Sequence, residues 1–257
     1  MVPRCLTIAG SDSGGGAGIQ ADLKAFAAAG CFGTSAVVAL TAQNTTGVSA
    51  VFELPPDFVR AQLEAVFADI GVDTAKTGML FSSAVIETVA AFLEAHPVPL
   101  VVDPVMVASS GARLLQEDAV DALVERLFPL ATVVTPNLPE AHALVGEGEP
   151  RELAERIHGL GVAAVVVTGG HTDDSVDWLF DGSEHVPIAV QRHGTSAIHG
   201  AGCTHSATLA AFLARGDNLV EAARGAARAA SAAVGHGLEE IGAGEGPVDV
   251  FDLKGAP

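Results

Sequence analysis

Arg4-Cys-Leu-Thr-Ile-Ala-Gly-Ser-Asp-Ser-Gly-Gly-Gly-Ala-Gly18 joins an apolar run to a glycine-rich turn. Residues 4–9 read as a buried strand, and the apolar spacing after the turn predicts a helix over 19–29, stopped by Gly30. The same rhythm continues along the chain. Strands are predicted at 34–40, 73–76, 99–102, 131–134 and 162–167, with helices at 58–70, 85–93, 119–127, 139–145 and 151–160. Residues 176–180 and 186–190 bracket Asp181-Gly182 and read as a hairpin. Long alanine-rich helices at 203–214 and 219–235 close the chain. Thr41-Ala-Gln-Asn-Thr-Thr-Gly47 reads as a polar turn. Strands alternating with helices predict an α/β fold, a mostly parallel sheet flanked by helices on both faces, in one domain over 1–257. Polar turns follow strands at Gly10, Thr41, Asp103, Thr135 and Thr168, so a ligand crevice is expected along that carboxyl edge.

Composition narrows the function. Apolar residues make up 49% of the 257 residues, yet no uncharged run is long enough to span a membrane. The opening residues are too soon interrupted by Asp12 to read as a signal peptide. Cys5, Cys31 and Cys203 are odd in number and far apart, which fits a reducing cytoplasm, and no zinc-type cluster appears. A net charge of −18 argues against a nucleic-acid partner. Phosphates, if handled, must be held locally by glycine backbone, helix ends and a metal ion.

His199-Gly-Ala-Gly-Cys-Thr-His-Ser206 offers such a place. Its glycines permit a sharp turn, and the helix start behind it presents unpartnered N–H groups at the positive end of the dipole. A thiol there, Cys203, is expected to have a lowered pKa. The alternative is an ordinary tight turn with a buried cysteine. Gly10 to Gly15 match half of a P-loop, but its lysine and hydroxyl are absent. Asp12 reads as a capping residue, and Asp22 as a polar contact or a cap. Gln43, beside Asn44, could hold the donor and acceptor edge of a heterocycle, or could be a turn residue. Asp103 follows a strand, where a carboxylate could serve a metal-bound phosphate. Asn137 and Glu140 could share water or magnesium on one helix face, or form a capping box. Thr168-Gly-Gly-His171 offers hydroxyl and backbone donors to a phosphate or ribose. Met79 and Met106 read as core, or as apolar walls for an aromatic ligand. His142, His185 and His193 read as surface or packing residues.

Together these stretches resemble the hydroxymethylpyrimidine and phosphomethylpyrimidine kinases of thiamine biosynthesis, within the ribokinase-like superfamily. Carrying the resemblance are Thr7 to Lys24, Thr41-Ala-Gln-Asn-Thr45, Lys76-Thr-Gly-Met79, Asp103-Pro-Val-Met106 and Thr135-Pro-Asn-Leu-Pro-Glu-Ala141. Gly169-Gly-His171, Asp177-Trp-Leu-Phe180 and His199-Gly-Ala-Gly-Cys-Thr204 complete it. The resemblance implies a three-layer α/β/α kinase, cytoplasmic and homodimeric, using ATP and Mg2+ to phosphorylate an aminopyrimidine alcohol and then its monophosphate. It implies that Gln43, Gly10, Ala17, Asp22 and Met79 surround the pyrimidine. Asp103, Asn137 and Glu140 would organise phosphates, with Asp103 and Glu140 on magnesium through water. Thr168 and Gly170 would face the nucleotide. Gly200, Ala201, Gly202 and Cys203 would form the anion hole, with Cys203 as the base.

Three departures stand out. Ala108-Ser-Ser-Gly111 and Thr168 replace runs in which the family carries lysines, and Ala201 replaces a threonine. Lys76 and Arg113 are candidate substitutes for the missing positive charge. Competing readings are a pyridoxal kinase on the same scaffold, a non-catalytic pyrimidine-binding regulator, and an acyl-transfer enzyme using Cys203 with His199 or His205.

Overall fold

In the computed structural model, which describes residues 1–107, 115–116, 118–169 and 175–255, the period-2 alternation of the strands sorts side chains onto two buried faces. The strands are β1 (Arg4–Asp12), β2 (Phe32–Asn44), β3 (Gly47–Glu53), β4 (Thr74–Thr77), β5 (Leu100–Val102), β6 (Val133–Val134), β7 (Val165–Val167), β8 (Val176–Phe180) and β9 (His185–Ala189). They form one nine-stranded sheet in the order β3-β2-β1-β4-β5-β6-β7-β8-β9. From β2 through β7 all neighbours are parallel, while β3, β8 and β9 are antiparallel additions at the two edges.

Leu6, Ile8, Val102, Val134 and Val165 point to one face. There they pack under α2 (Pro56–Ala65), α3 (Ser83–Ala95), α4 (Ala119–Ala122), α5 (Leu138–Val145) and α6 (Pro150–His158). Cys5, Val101, Val133 and Val166 point to the other face, under α1 (Gly18–Ala28), α7 (Ala201–Ala214) and α8 (Leu219–Gly235). The result is the expected three-layer α/β/α architecture. Alanine makes α7 and α8 narrow enough to pack closely on each other, and α7 on α1. Asn218 caps α8 by accepting from the Glu221 N–H at 3.0 Å, and Ser82 caps α3 at 3.3 Å.

The structure corrects the reading of 41–47. β2 does not turn at Thr41; it runs on to Asn44 and folds back as β3, which the sequence analysis did not anticipate. The helix expected over 58–70 ends as α2, and Val66–Ile70 is a wider π turn stopped at Gly71. The strands expected at 131–134 and 162–167 keep only their most buried pair and triplet of valines.

Candidate active site

The anion turn is built where α7 begins. Gly200 has φ of 87°, and a Cβ there would overlap the Gly16 carbonyl oxygen. Only glycine lets the two glycine-rich segments touch. Ala201 N–H donates to the Ile198 carbonyl at 3.0 Å and Thr204 N–H to the Gly200 carbonyl at 2.9 Å. Among the described residues, the first-turn N–H groups without a partner are therefore those of Gly202 and Cys203. Ala201, expected as a third donor, has its N–H engaged.

Asp12 locks the turn to the first loop. Its carboxylate accepts from Gly14 N–H at 2.7 Å, Ala17 N–H at 2.8 Å and Gly16 N–H at 3.0 Å, and lies 3.0 Å from His199 Nε2. Burial works against its charge, but His199 and the backbone donors prevail and hold the carboxyl below its ordinary value. Asp12 does not cap α1, whose N-cap Ala17 has no side-chain bond; it gathers the loop's own N–H groups and His199. Gly10 N–H donates to the Met79 carbonyl at 3.1 Å, and a Cβ at Gly10 would overlap the Met79 methyl, so these two residues lie together; Ala17 lies instead against Gly200.

Beneath Cys203 lies a buried set of charges. In the register of β1 and β4, Thr7 sits opposite Lys76, on the face covered by α1. Asp22 descends from α1 between them: Lys76 Nζ donates to its two oxygens at 2.8 and 3.0 Å, and Thr7 Oγ1 at 2.5 Å. Burial alone would discharge Lys76, yet the carboxylates around it, Asp22 above all, with Asp103 as a smaller contributor, raise its pKa and keep it protonated. Asp103 Oδ2 stands 3.8 Å from Lys76 Nζ and accepts from Ser206 Oγ at 2.8 Å. Asp22 and Lys76 are fully excluded from solvent. Asp22 thus lies under the expected pyrimidine pocket rather than on its wall, and Lys76 is committed to Asp22 instead of standing free for a phosphate.

Cys203 is partly exposed, on the α7 face shared with Ser206. Burial of its sulfur, with Asp22 and Asp103 nearby, outweighs Lys76 and pushes the thiol up to about 12. The lowered pKa expected at a helix start is reversed, because burial of the sulfur outweighs what the dipole and Lys76 can offset. His205 does not suit an acyl-transfer pair. His199 is held by Asp12, and His205 is buried, with Nε2 unpartnered and its pKa pushed down to about 4 by burial.

Asn137 and Glu140 form a full capping box at the start of α5: Glu140 N–H donates to Asn137 Oδ1 at 2.9 Å, and Asn137 N–H to Glu140 Oε2 at 3.0 Å. Glu140 is nevertheless also a neighbour of Asp103. Burial, with that like charge, pushes its carboxyl up to about 8. Thr168 follows β7 and bridges to Asn137, its N–H donating to the Pro136 carbonyl at 2.9 Å. Gly170, Ser109 and Arg113 lie outside the described residues.

Gln43 sits opposite Val48 in the β2–β3 hairpin, where a bulge separates it from the Ala42–Ala50 pair. Ser13 Oγ donates to the Gln43 carbonyl at 2.7 Å and accepts from its N–H at 2.8 Å, which ties the hairpin to the glycine loop. Thr41 Oγ1 lies 3.0 Å from the Gln43 amide oxygen and 3.0 Å from the Ser11 carbonyl.

Ser13 carried no expectation of its own, Thr41 only that of a polar strand end, and Ser206 only that of closing the anion-turn stretch. Spacing could have assigned Ser206: three residues beyond Cys203, it must share a helix face with it. Two unengaged N–H groups at a helix start suit a phosphoryl oxygen. No group of three or more acidic, cysteine or histidine side chains able to hold a metal by itself occurs among the described residues. Two adjacent buried carboxylates, one of them raised by the other, do fit Mg2+, an ion that takes few protein ligands and completes its shell with water and phosphate oxygens.

Residues 12–249 match the family described as phosphomethylpyrimidine kinase. The hydroxymethylpyrimidine/phosphomethylpyrimidine kinase of Rhizobium meliloti is 48% identical over 260 residues, covering 98% of each chain. The thiamine biosynthesis bifunctional protein ThiED of Geobacter sulfurreducens is 51% identical over 252 residues; they are 95% of this chain and 51% of that protein, so the chain spans about half its length. An ADP complex of Bacillus subtilis pyridoxal kinase superposes with a TM-score of 0.91, at 38% identity over 100% of both chains.

Proposed function

The chain belongs to the phosphomethylpyrimidine kinase family, and from that premise we propose that it transfers the γ-phosphoryl group of ATP to 4-amino-5-hydroxymethyl-2-methylpyrimidine, and then to the monophosphate so formed. One observation carries the reading. A continuous set of contacts runs from Gln43 through Ser13 and the glycine loop to Asp12 and His199, and so into the start of α7. It continues from Ser206 to Asp103 and Lys76. A recognition group for a heterocycle, an anion turn and an acidic pair are thereby held in one frame, which is what phosphoryl transfer asks of a protein.

In this reading the Gln43 amide grips the pyrimidine edge, with Gly10, Ala17 and Met79 along the ring. The Gly202 and Cys203 N–H groups receive the transferring phosphoryl oxygens. Asp103 and Glu140 would hold magnesium, through water; bound there, the ion would neutralise phosphate charge. Asn137 positions Glu140 through the capping box, and Thr168 and Gly170 face the nucleotide. Cys203, a thiol at neutral pH, offers its sulfur as a hydrogen-bond acceptor beside the reacting hydroxyl; being already protonated it does not take the hydroxyl proton, which passes to a transferring phosphoryl oxygen as the new P–O bond forms. Lys76 and Asp22 support the site from below.

The similarity to a pyridoxal kinase makes pyridoxal the specific rival substrate. Incubation with Mg-ATP and, separately, the aminopyrimidine alcohol, its monophosphate and pyridoxal, following ADP, tests the assignment. The expected result is the highest kcat/KM with the pyrimidine and measurable turnover of its monophosphate. A preference for pyridoxal overturns the substrate, and no turnover with any of the three overturns the kinase. Ligand binding without turnover would leave the regulator reading. The proposal includes one domain over 1–257, supported by the unbroken sheet, and a cytoplasmic homodimer without a nucleic-acid partner, the last supported by a net charge of −18. No described helix is long and apolar enough to cross a membrane.

A further inference from the structure

Thr41 is buried between β1 and the hairpin, and its hydroxyl faces two acceptors at equal distance: 3.0 Å to the Ser11 carbonyl and 3.0 Å to the amide oxygen of Gln43. A hydroxyl has one proton and cannot donate to both. The backbone carbonyl can only accept. A primary amide, by contrast, has an oxygen end and a nitrogen end of nearly the same shape. Turning the amide satisfies every group: Thr41 donates to Ser11, and the Gln43 nitrogen donates to Thr41.

We propose that Thr41 is a specificity-determining positioning residue, which fixes the direction of the Gln43 amide so that its nitrogen lies toward Thr41 and its oxygen away from it. One amide hydrogen then goes to Thr41. The other hydrogen and the oxygen remain as a donor–acceptor edge of fixed order. A 4-aminopyrimidine carries a ring-nitrogen acceptor next to an amine donor and matches that edge in one direction only. A ring without the amine leaves the Gln43 oxygen unsatisfied. Two further contacts make the arrangement stiff: the bulge at Gln43 sets where its side chain leaves the strand, and Ser13 pins its backbone from both sides. The proposal rests on the pyrimidine reading of the site.

The test compares wild type, Thr41→Val and Thr41→Ser on the aminopyrimidine alcohol and on its analogue with hydrogen in place of the amine, by calorimetric binding and by steady-state kinetics with Mg-ATP. Wild type is expected to favour the amine by about tenfold or more, the effect of one buried unsatisfied acceptor. In Thr41→Val the preference should fall below about threefold through a raised KM at nearly unchanged kcat, and Thr41→Ser should restore it. Thr41→Ala replaces the valine variant if circular dichroism shows that the latter is not folded. If wild type does not bind the aminopyrimidine, the pyrimidine reading and this proposal both fall. If it binds but the preference and KM survive the loss of the hydroxyl, the proposal alone is overturned.

Discussion

Lys76 Nζ and Asp22 Oδ1 meet at 2.8 Å with neither side chain exposed to solvent; among the described residues no other ion pair is so fully enclosed. Removing one partner strands the other charge in the protein interior. Lys76→Met is expected to destabilise the fold by about 3–5 kcal/mol. Asp22→Leu combined with Lys76→Met should recover much of that loss. Urea unfolding followed by fluorescence of the single tryptophan measures both, and additive losses in the double variant would contradict the pairing.

Gly200 and Gly202 should separate structure from chemistry. At Gly200 a Cβ meets the Gly16 carbonyl at positive φ, so Gly200→Ala should cost about 1–3 kcal/mol in backbone strain alone and remove activity. At Gly202 a Cβ meets nothing within 4 Å. Gly202→Ala should keep or slightly raise the melting temperature, since alanine favours the helix, while kcat falls by about a hundredfold if phosphate approaches that N–H. Thermal unfolding and ADP release, measured together, distinguish the two.

Glu140 gives a pH signature. Its carboxyl stands at about 8 in the folded protein, against an ordinary value of 4.5, through burial and the neighbouring Asp103. The folded state therefore binds a proton more tightly than the unfolded chain. That contribution is fully present below 4.5 and is lost as pH rises toward 8. The melting temperature of the protein without nucleotide should fall across this window relative to Glu140→Gln, a substitution the capping box tolerates. Parallel curves for the two proteins would refute the raised carboxyl.

With its thiol at about 12, Cys203 is protonated throughout the neutral range. Alkylation by iodoacetamide at pH 7.5 should be slow, and its rate should still be climbing at pH 9. Because so little thiolate is present, Cys203→Ala should lower kcat by no more than about tenfold, short of the loss seen when a strong general base is removed. A drop of several thousandfold would restore Cys203 as an essential base.

The long apolar runs and their polar ends made the layered architecture readable, because parallel strands buried on both faces must be apolar throughout. The hairpin of β2 and β3 was not: Thr41, Gln43 and Asn44 are polar because one side of that edge faces the candidate site, so polarity there imitated a turn. Asn137 and Glu140 were legible as a pair, three residues apart on one helix. Asp22 and Lys76 were legible only as separate residues, since nothing local records a partner 54 positions away. The cysteine misled for a related reason. A helix start is visible in sequence, whereas the burial of the Cys203 sulfur, which decides its proton, arises only through tertiary packing.

Asp12 and His199 are separated by 187 residues, yet their contact binds the first loop to the start of α7. A chain leaving the ribosome carries the glycine loop long before it has anything to close against. Such distant closure is slow, since the entropy of the intervening loop must be overcome first. Most of the sheet can pair while the site is still open. Catalytic competence should therefore be the last native property to return on refolding, lagging behind secondary structure, and a chain halted before His199 would hold all nine strands but neither α7 nor α8, with one sheet face largely bare and no place for a phosphate.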